Sequence, residues 1–212
     1  MKKISRLHYI TTTPQLAEQA CAAGVDWIQL RLKNVTDAQY LSVAYEVGAV
    51  CRQYGAKLII NDNVQVAIDS GADGVHLGKT DMDPVKARQL LGPGKIIGCT
   101  AHNRTDIVRL AAKPVDYAGL GPFRFTTTKE KLAPIVGLQG YSRITQSLRE
   151  LSIREIPLIA IGGIRTDDVP EILSRGIHGV AVSGAISSAE DVRAAAADFI
   201  SVLNEKTKDQ HG

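Results

Sequence analysis

Short runs of apolar and β-branched residues alternate along this chain with longer stretches in which apolar positions recur every three or four residues. The runs are LHYIT (7–11), WIQLRLK (27–33), KLIIND (57–62), GVHLG (74–78), KIIGCTA (95–101), YAGLGP (117–122), IPLIAIGG (156–163) and GVAVSG (179–184). Each reads as a strand. PQLAEQACAAG, TDAQYLSVAYEVGAVCRQYG and SAEDVRAAAADFISVLNE carry helical period instead. Thr36-Asp37 and Asp83-Pro84 supply helix starts, and Gly24, Gly55, Gly71, Gly92 and Gly176 supply stops. Strand starts lie roughly 25 residues apart, the length of a βα unit, and eight such units predict a closed α/β barrel, the (β/α)8 TIM barrel. An open doubly wound sheet is the competing architecture. No linker or low-complexity tract intervenes, so residues 1–212 are expected to form one domain with a polar C-terminal tail.

The spacing breaks once. Between Pro122 and Ile156 the stretch FRFTTTKEKLAPIV precedes the next helical segment. A long loop after a barrel strand is a usual place for a lid or a ligand clamp.

Composition narrows the class of protein. The 212 residues are 44% hydrophobic and 22% charged, ordinary for a folded soluble chain. The net charge of +3 is small and scattered, which argues against a nucleic-acid partner. No apolar run approaches the roughly 18 residues of a membrane span. The start, MKKISRLHYITTT, lacks the apolar core and cleavage site of a signal peptide. Cys21, Cys51 and Cys99 show no CxxC spacing, which points away from disulfides and zinc and toward a reducing, cytoplasmic setting. Oligomeric state stays open, with a homodimer compatible.

Active sites of barrels lie at the C-terminal strand ends. In WIQLRLK, alternation puts Trp27, Gln29, Arg31 and Lys33 on one face and Ile28, Leu30 and Leu32 on the other. Helices cover the outside of a barrel, so the basic side chains are expected inside, where they would be costly without an anion. A solvated polar strand face is the plainer alternative. The third strand ends in Asn61-Asp62, and Asp81 follows the fourth. Two carboxylates at one rim repel unless a cation lies between them, and so few protein oxygens suit Mg²⁺ shared with a substrate phosphate. Their alternative role is helix capping.

Gly98 and Thr100 alternate inward on the fifth strand, as do Gly119 and Gly121 on the sixth, and these glycines are expected to leave room for a ligand. Thr126, Thr127, Thr128 and Lys129 bring hydroxyls and a cation to the long loop, unless that loop is only a solvated turn. Gly162-Gly163 and Val182-Ser183-Gly184 end the last two strands, where phosphate-binding barrels form their amide cradle. His76 is expected to be a core histidine, His178 a structural one, and His102 a loop residue whose capping role outweighs ligand contact. Two anion regions result. Arg31, Lys33, Asn61, Lys129 and a metal suit a diphosphate, and the amide cradle suits a monophosphate. That pairing suggests group transfer with pyrophosphate departing.

The motifs QLRLK (29–33), INDN (60–63), GADGVHLGKTD (71–81), GCTAHN (98–103), DYAGLGPFRFTTTK (116–129), AIGGI (160–164) and GVAVSGAI (179–186) occur in one order and spacing. Over roughly residues 7–200 the chain resembles the thiamine-phosphate synthase family. The resemblance implies a phosphate-binding TIM barrel that joins a hydroxymethylpyrimidine diphosphate to a thiazole phosphate, or its carboxylated form, with Mg²⁺ and release of pyrophosphate. It implies a dissociative route, in which the aminopyrimidine supports a cation at its methylene before the thiazole nitrogen attacks. The QLRLK stretch (Gln29, Leu30, Arg31, Leu32 and Lys33), Asn61, Thr100 and Lys129 would then bind the pyrimidine diphosphate, with Arg31, Lys33 and Lys129 as catalytic cations. Asp62 and Asp81 would hold Mg²⁺. Thr126, Thr127, Thr128, Gly163, Val182 and Ser183 would take the thiazole phosphate.

Three positions depart from the family pattern. Leu32 replaces an acid, Thr100 replaces a serine, and Phe125 replaces a proline ahead of the threonines. Two other functions compete. A thiazole tautomerase on the same fold would need no diphosphate site, and a non-catalytic phosphate-binding barrel would need no paired carboxylates.

Overall fold

Eight strands form in chain order: β1 (Leu7–Thr11), β2 (Trp27–Leu30), β3 (Lys57–Asn61), β4 (Gly74–Leu77), β5 (Ile96–Ala101), β6 (Tyr117–Leu120), β7 (Leu158–Ile161) and β8 (Gly179–Val182). Each pairs in parallel with the next, and β8 closes on β1. This computed structural model describes residues 2–125, 134–151 and 153–208, with side chains described through residue 205. Helices α1 (Pro14–Ala22), α2 (Asp37–Tyr54), α3 (Val64–Asp69), α4 (Pro84–Leu91), α5 (Arg104–Ala111), α6 (Gly137–Arg149), α7 (Val169–Ser174), α8 (Gly184–Ser187) and α9 (Val192–Lys208) fill the intervals. The closed barrel rather than the open sheet is therefore the architecture. No described helix is long and apolar enough to cross a membrane.

The expected punctuation operates. Thr36 opens α2 with a capping box, its side chain accepting from the Gln39 amide while the Gln39 side chain accepts from the Thr36 amide. Gly55 closes α2 in the left-handed region at φ 69°. Asp83 caps α4 through the Val85 N–H, and Pro84 takes the first turn, where its missing N–H is harmless.

Both faces of the sheet are buried, which is why the strands read as apolar runs. Outward residues such as Ile28, Leu30, Ile60, Val75, Ile97 and Leu120 pack against the helices. Inward residues Trp27, Ile59, Ile96, Tyr117, Ile159 and Ala181 form a second cluster inside the barrel, with Ile4 at its base. Two buried tyrosines tie the helix layer to the C-terminal strand ends. Tyr40 donates to the carbonyls of Leu30 at 2.7 Å and Asn61 at 3.1 Å, and Tyr141 donates to Leu120 at 3.1 Å. The carbonyls at the tops of three strands are thus fixed from behind.

Candidate active site

A cavity of about 450 Å³ opens at the C-terminal end of the barrel, lined from every quarter by residues at or just beyond the strand ends. Its acidic corner lies over β3 and β4. Asp62 sits in the left-handed region at φ 67°, a conformation that aspartate tolerates better than most residues, and its N–H donates to the His76 carbonyl at 2.8 Å. Asp81 Oδ2 accepts the Gly78 N–H at 2.6 Å. A Cβ on Gly78 would lie 2.9 Å from Asp81 Oδ2 and 3.9 Å from Asp62 Oδ1, so the two carboxylates converge over one bare backbone. Partial burial, then the hydrogen bond and repulsion from Asp81, push the Asp62 carboxyl up to about 6.

Neither aspartate caps a helix. Asn63 caps α3 and Asp83 caps α4, so the capping alternative fails. Among the described residues no group of three or more His, Cys, Asp or Glu side chains is placed to hold a metal. The pair itself fits Mg²⁺, which keeps waters and shares ligand phosphate oxygens around one or two carboxylates.

The basic side departs partly from expectation. Arg31, half-buried, lines the cavity, and its N–H extends the ladder by donating to the Thr11 carbonyl at 3.0 Å. Gln29 and Asn61, both buried, line it too. Lys33 is exposed and does not line the cavity. Leu30 is fully buried among the helices, and Leu32 packs against that same outer core. Leu30 and Leu32 thus lie on the outer face, as strand alternation expects, and only the direction of Lys33 departs from it. β2 stops at Leu30, so strand alternation no longer dictates direction at Lys33.

Lys79 is a cation that the sequence reading passed over. It lines the cavity and reaches both oxygens of Asp106 at 3.0 Å. Burial opposes ionisation of Asp106, but the His102 amide and Lys79 outweigh it and hold the carboxyl below its ordinary value. The available signal was position: Lys79 lies two residues before Asp81 in a turn at a strand top. His102 also lines the cavity, with Nδ1 2.6 Å from the Gly121 carbonyl. His178 is structural, its Nε2 3.0 Å from the Ile4 carbonyl.

The floor corrects another expectation. Gly98 and Gly119 do not leave space for a ligand. A Cβ on Gly98 would lie 2.0 Å from Tyr117 Cζ, and one on Gly119 would lie 3.1 Å from His76 Cε1. The two glycines admit the protein's own rings. Gly121 likewise faces the Ile161 carbonyl, 2.2 Å from its notional Cβ. His76 Nδ1 is 3.0 Å from the Tyr117 hydroxyl, and Nε2 is 3.1 Å from Thr100 Oγ1, so this buried histidine, itself at the cavity floor, also backs Thr100. Beneath it His8 stacks on Trp27, with ring centroids 4.2 Å apart, and meets the edge of Tyr117. Burial holds His8 well below its usual range, so it is neutral.

Opposite the carboxylates, Gly162, Gly163, Val182 and Ser183 line the cavity. Gly162 at φ 106° and Gly163 at φ 68° turn the chain sharply after β7, and a Cβ on Gly163 would lie 2.5 Å from Arg124 Cγ. The Arg124 N–H donates to the Gly162 carbonyl at 3.1 Å, and its guanidinium pairs with Asp168 at 2.5 Å. The base of the long loop is thus locked to the glycine turn. Thr126, Thr127, Thr128 and Lys129 lie outside the described residues.

The sequence profile of the thiamine monophosphate synthase family matches residues 4–186. This chain belongs to that family. A thiamine-phosphate synthase of Flavobacterium johnsoniae is 44% identical over 206 residues, covering 97% of this chain and 95% of the relative. One from Bacteroides thetaiotaomicron is 45% identical over 190 residues, covering 90% and 89%. A solved thiamine phosphate pyrophosphorylase from Pyrococcus furiosus superposes with a TM-score of 0.83 at 31% identity, over 94% of this chain and 96% of that one. A structure described as native KDPGal shares the fold alone, with a TM-score of 0.73 at 16% identity. Within this synthase family, the acidic pair, Arg31 and the glycine turns of the present chain all face one cavity.

Proposed function

We propose that the protein is a thiamine-phosphate synthase, a single-domain barrel transferase of thiamine biosynthesis. It condenses 4-amino-2-methyl-5-hydroxymethylpyrimidine diphosphate with 4-methyl-5-(2-hydroxyethyl)thiazole phosphate and releases pyrophosphate. The observation that carries this reading is the opposition, across one cavity, of a paired-carboxylate corner and a double-glycine turn, in a chain of this family.

In the reaction the thiazole nitrogen gives its electron pair to the pyrimidine methylene. The C–O bond to the diphosphate breaks before that attack, pyrophosphate leaving with the pair of the C–O bond and the aminopyrimidine supporting the cation left at the methylene. Gln29, Asn61 and Thr100 orient the pyrimidine diphosphate, and Arg31 neutralises charge that grows on the departing oxygen. Asp62 and Asp81 would hold Mg²⁺, which would supply further charge neutralisation on the leaving group. Gly163, Val182 and Ser183 seat the thiazole phosphate, so that its ring meets the methylene from the far side of the cavity. The resemblance adds Thr126, Thr127 and Thr128 to that phosphate and Lys129 to the diphosphate. The resemblance also gives Lys33, exposed beyond the end of β2, to the diphosphate. The three cysteines, all free and buried, suit a reducing cytoplasmic location.

The test is pyrophosphate release measured with each substrate omitted in turn. Release is expected only with both substrates and Mg²⁺ present. Isomerisation of the thiazole phosphate with no need for the pyrimidine would favour the tautomerase instead. Binding of both ligands without turnover would leave only a phosphate-binding barrel.

A further inference from the structure

The buried polar groups under the cavity form a directed chain. It starts at the Tyr117 hydroxyl, buried inside the barrel. That hydroxyl meets His76 Nδ1 at 3.0 Å, and His76 Nε2 meets Thr100 Oγ1 at 3.1 Å. His76 is buried and Tyr117 is wholly so, whereas Thr100 is half-buried at the cavity surface. The chain exists because Gly98 and Gly119 have no side chains where the Tyr117 and His76 rings lie.

A neutral imidazole has one donor and one acceptor nitrogen, so the chain has two polarities. In one, Tyr117 donates to Nδ1 and Nε2–H donates to Thr100. The threonine proton is then turned away from His76 and into the cavity. In the other, Thr100 donates to Nε2 and offers the cavity only lone pairs. An anion over Thr100 repels lone pairs and accepts a proton, so it selects the first polarity.

We propose that His76 is a positioning residue: held by Tyr117, it fixes the Thr100 hydroxyl as a donor aimed at a phosphoryl oxygen of the diphosphate. This rests on the reading above that the diphosphate lies over Thr100. His76 touches no reacting atom. Its effect is to spare the hydroxyl a reorientation on binding and to keep it from competing as an acceptor.

The test uses the whole chain and reads two ligands separately. His76→Leu removes the donor and His76→Gln restores an N–H near the Nε2 position. Tyr117→Phe removes one hydroxyl and keeps the ring, so it tests the chain even where His76→Leu folds poorly. Loss of one charge-assisted hydrogen bond is expected to raise KM for the pyrimidine diphosphate about tenfold in His76→Leu. KM for the thiazole phosphate should stay within about twofold, and His76→Gln should recover most of the loss. Thr100→Val should match His76→Leu, and adding His76→Leu to Thr100→Val should cost nothing more. Equal losses on both substrates, or full additivity in the double variant, would overturn the proposal.

Calorimetry with inorganic pyrophosphate and Mg²⁺ keeps this question separate from the overall function. If wild-type protein binds pyrophosphate and Thr100→Val and His76→Leu weaken that binding equally, the chain operates whether or not thiamine phosphate is made. If the wild type makes thiamine phosphate and His76→Leu binds pyrophosphate as wild type does, the function stands and the positioning role falls.

Discussion

Replacing Asp62 with asparagine should stabilise the metal-free protein at neutral pH while abolishing its response to Mg²⁺. The carboxyl of Asp62 is raised from 3.8 to about 6, first by partial burial and then by Asp81. The folded state therefore holds the Asp62 proton more tightly than the unfolded chain does. Stability from this group is fully present below about 3.8, falls as pH rises, and is lost once pH passes about 6. Fully buried, a shift of that size would be worth about 3 kcal/mol. Asp62 is solvent-exposed on the cavity wall, and screening reduces the figure to about 1 kcal/mol. For a chain of this length that corresponds to about 2–4 °C in Tm. Asparagine adds no backbone strain, because it too tolerates the left-handed region in which residue 62 sits.

The assay is thermal or urea unfolding at pH 4, 6 and 7.5, each with EDTA and with excess Mg²⁺. With EDTA, Asp62→Asn should match wild type at pH 4 and exceed it by about 1 kcal/mol at pH 7.5. Mg²⁺ should raise the wild-type Tm at pH 7.5 and leave that of the variant unchanged. A variant less stable than wild type at pH 7.5 in EDTA would refute the reasoning, since it would mean that the charge is paired rather than frustrated.

Other perturbations have local signatures. Gly98→Ala forces a Cβ to within 2.0 Å of the Tyr117 ring, and overpacking of this kind should cost about 1–3 kcal/mol or more in urea unfolding. Gly163→Ala should destabilise by about 1–3 kcal/mol, through positive φ and the clash with Arg124, and should raise KM for the thiazole phosphate above all. Gly78→Ala should displace the Asp81 carboxylate 2.9 Å away, so that Mg²⁺ titration of activity shifts several-fold higher while Tm in EDTA changes little. Arg31→Ala should lower kcat/KM at least about tenfold, by removing charge stabilisation of the leaving group, without unfolding the barrel.

The barrel was legible because each strand carries its own signal: a short apolar run bounded by caps and glycines, repeated at βα spacing. The carboxylate pair was legible for a related reason. Asp62 and Asp81 follow adjacent strands, and adjacency in a barrel is fixed by chain order. What was not legible depended on where regular structure stops. Lys33 follows the alternation rule only if β2 continues to it, and a ladder that ends at Leu30 leaves no rule to apply. Gly98 and Gly119 show that a missing side chain does not say who takes the space, since Tyr117 reaches Gly98 from the next strand and His76 reaches Gly119 across β5, in a register that the sequence does not display. Lys79 escaped notice because a lysine in a turn looks like any solvated cation until Asp106 is seen to hold it at the cavity wall.

The central claim is that one cavity joins two phosphorylated rings. It is tested most directly by incubating purified protein with both substrates and Mg²⁺ and quantifying thiamine phosphate and pyrophosphate together. Equimolar appearance of the two products, abolished by EDTA or by omitting either substrate, is the expected result. Pyrophosphate released at an undiminished rate from the pyrimidine diphosphate alone, or no thiamine phosphate from the complete mixture, would contradict it.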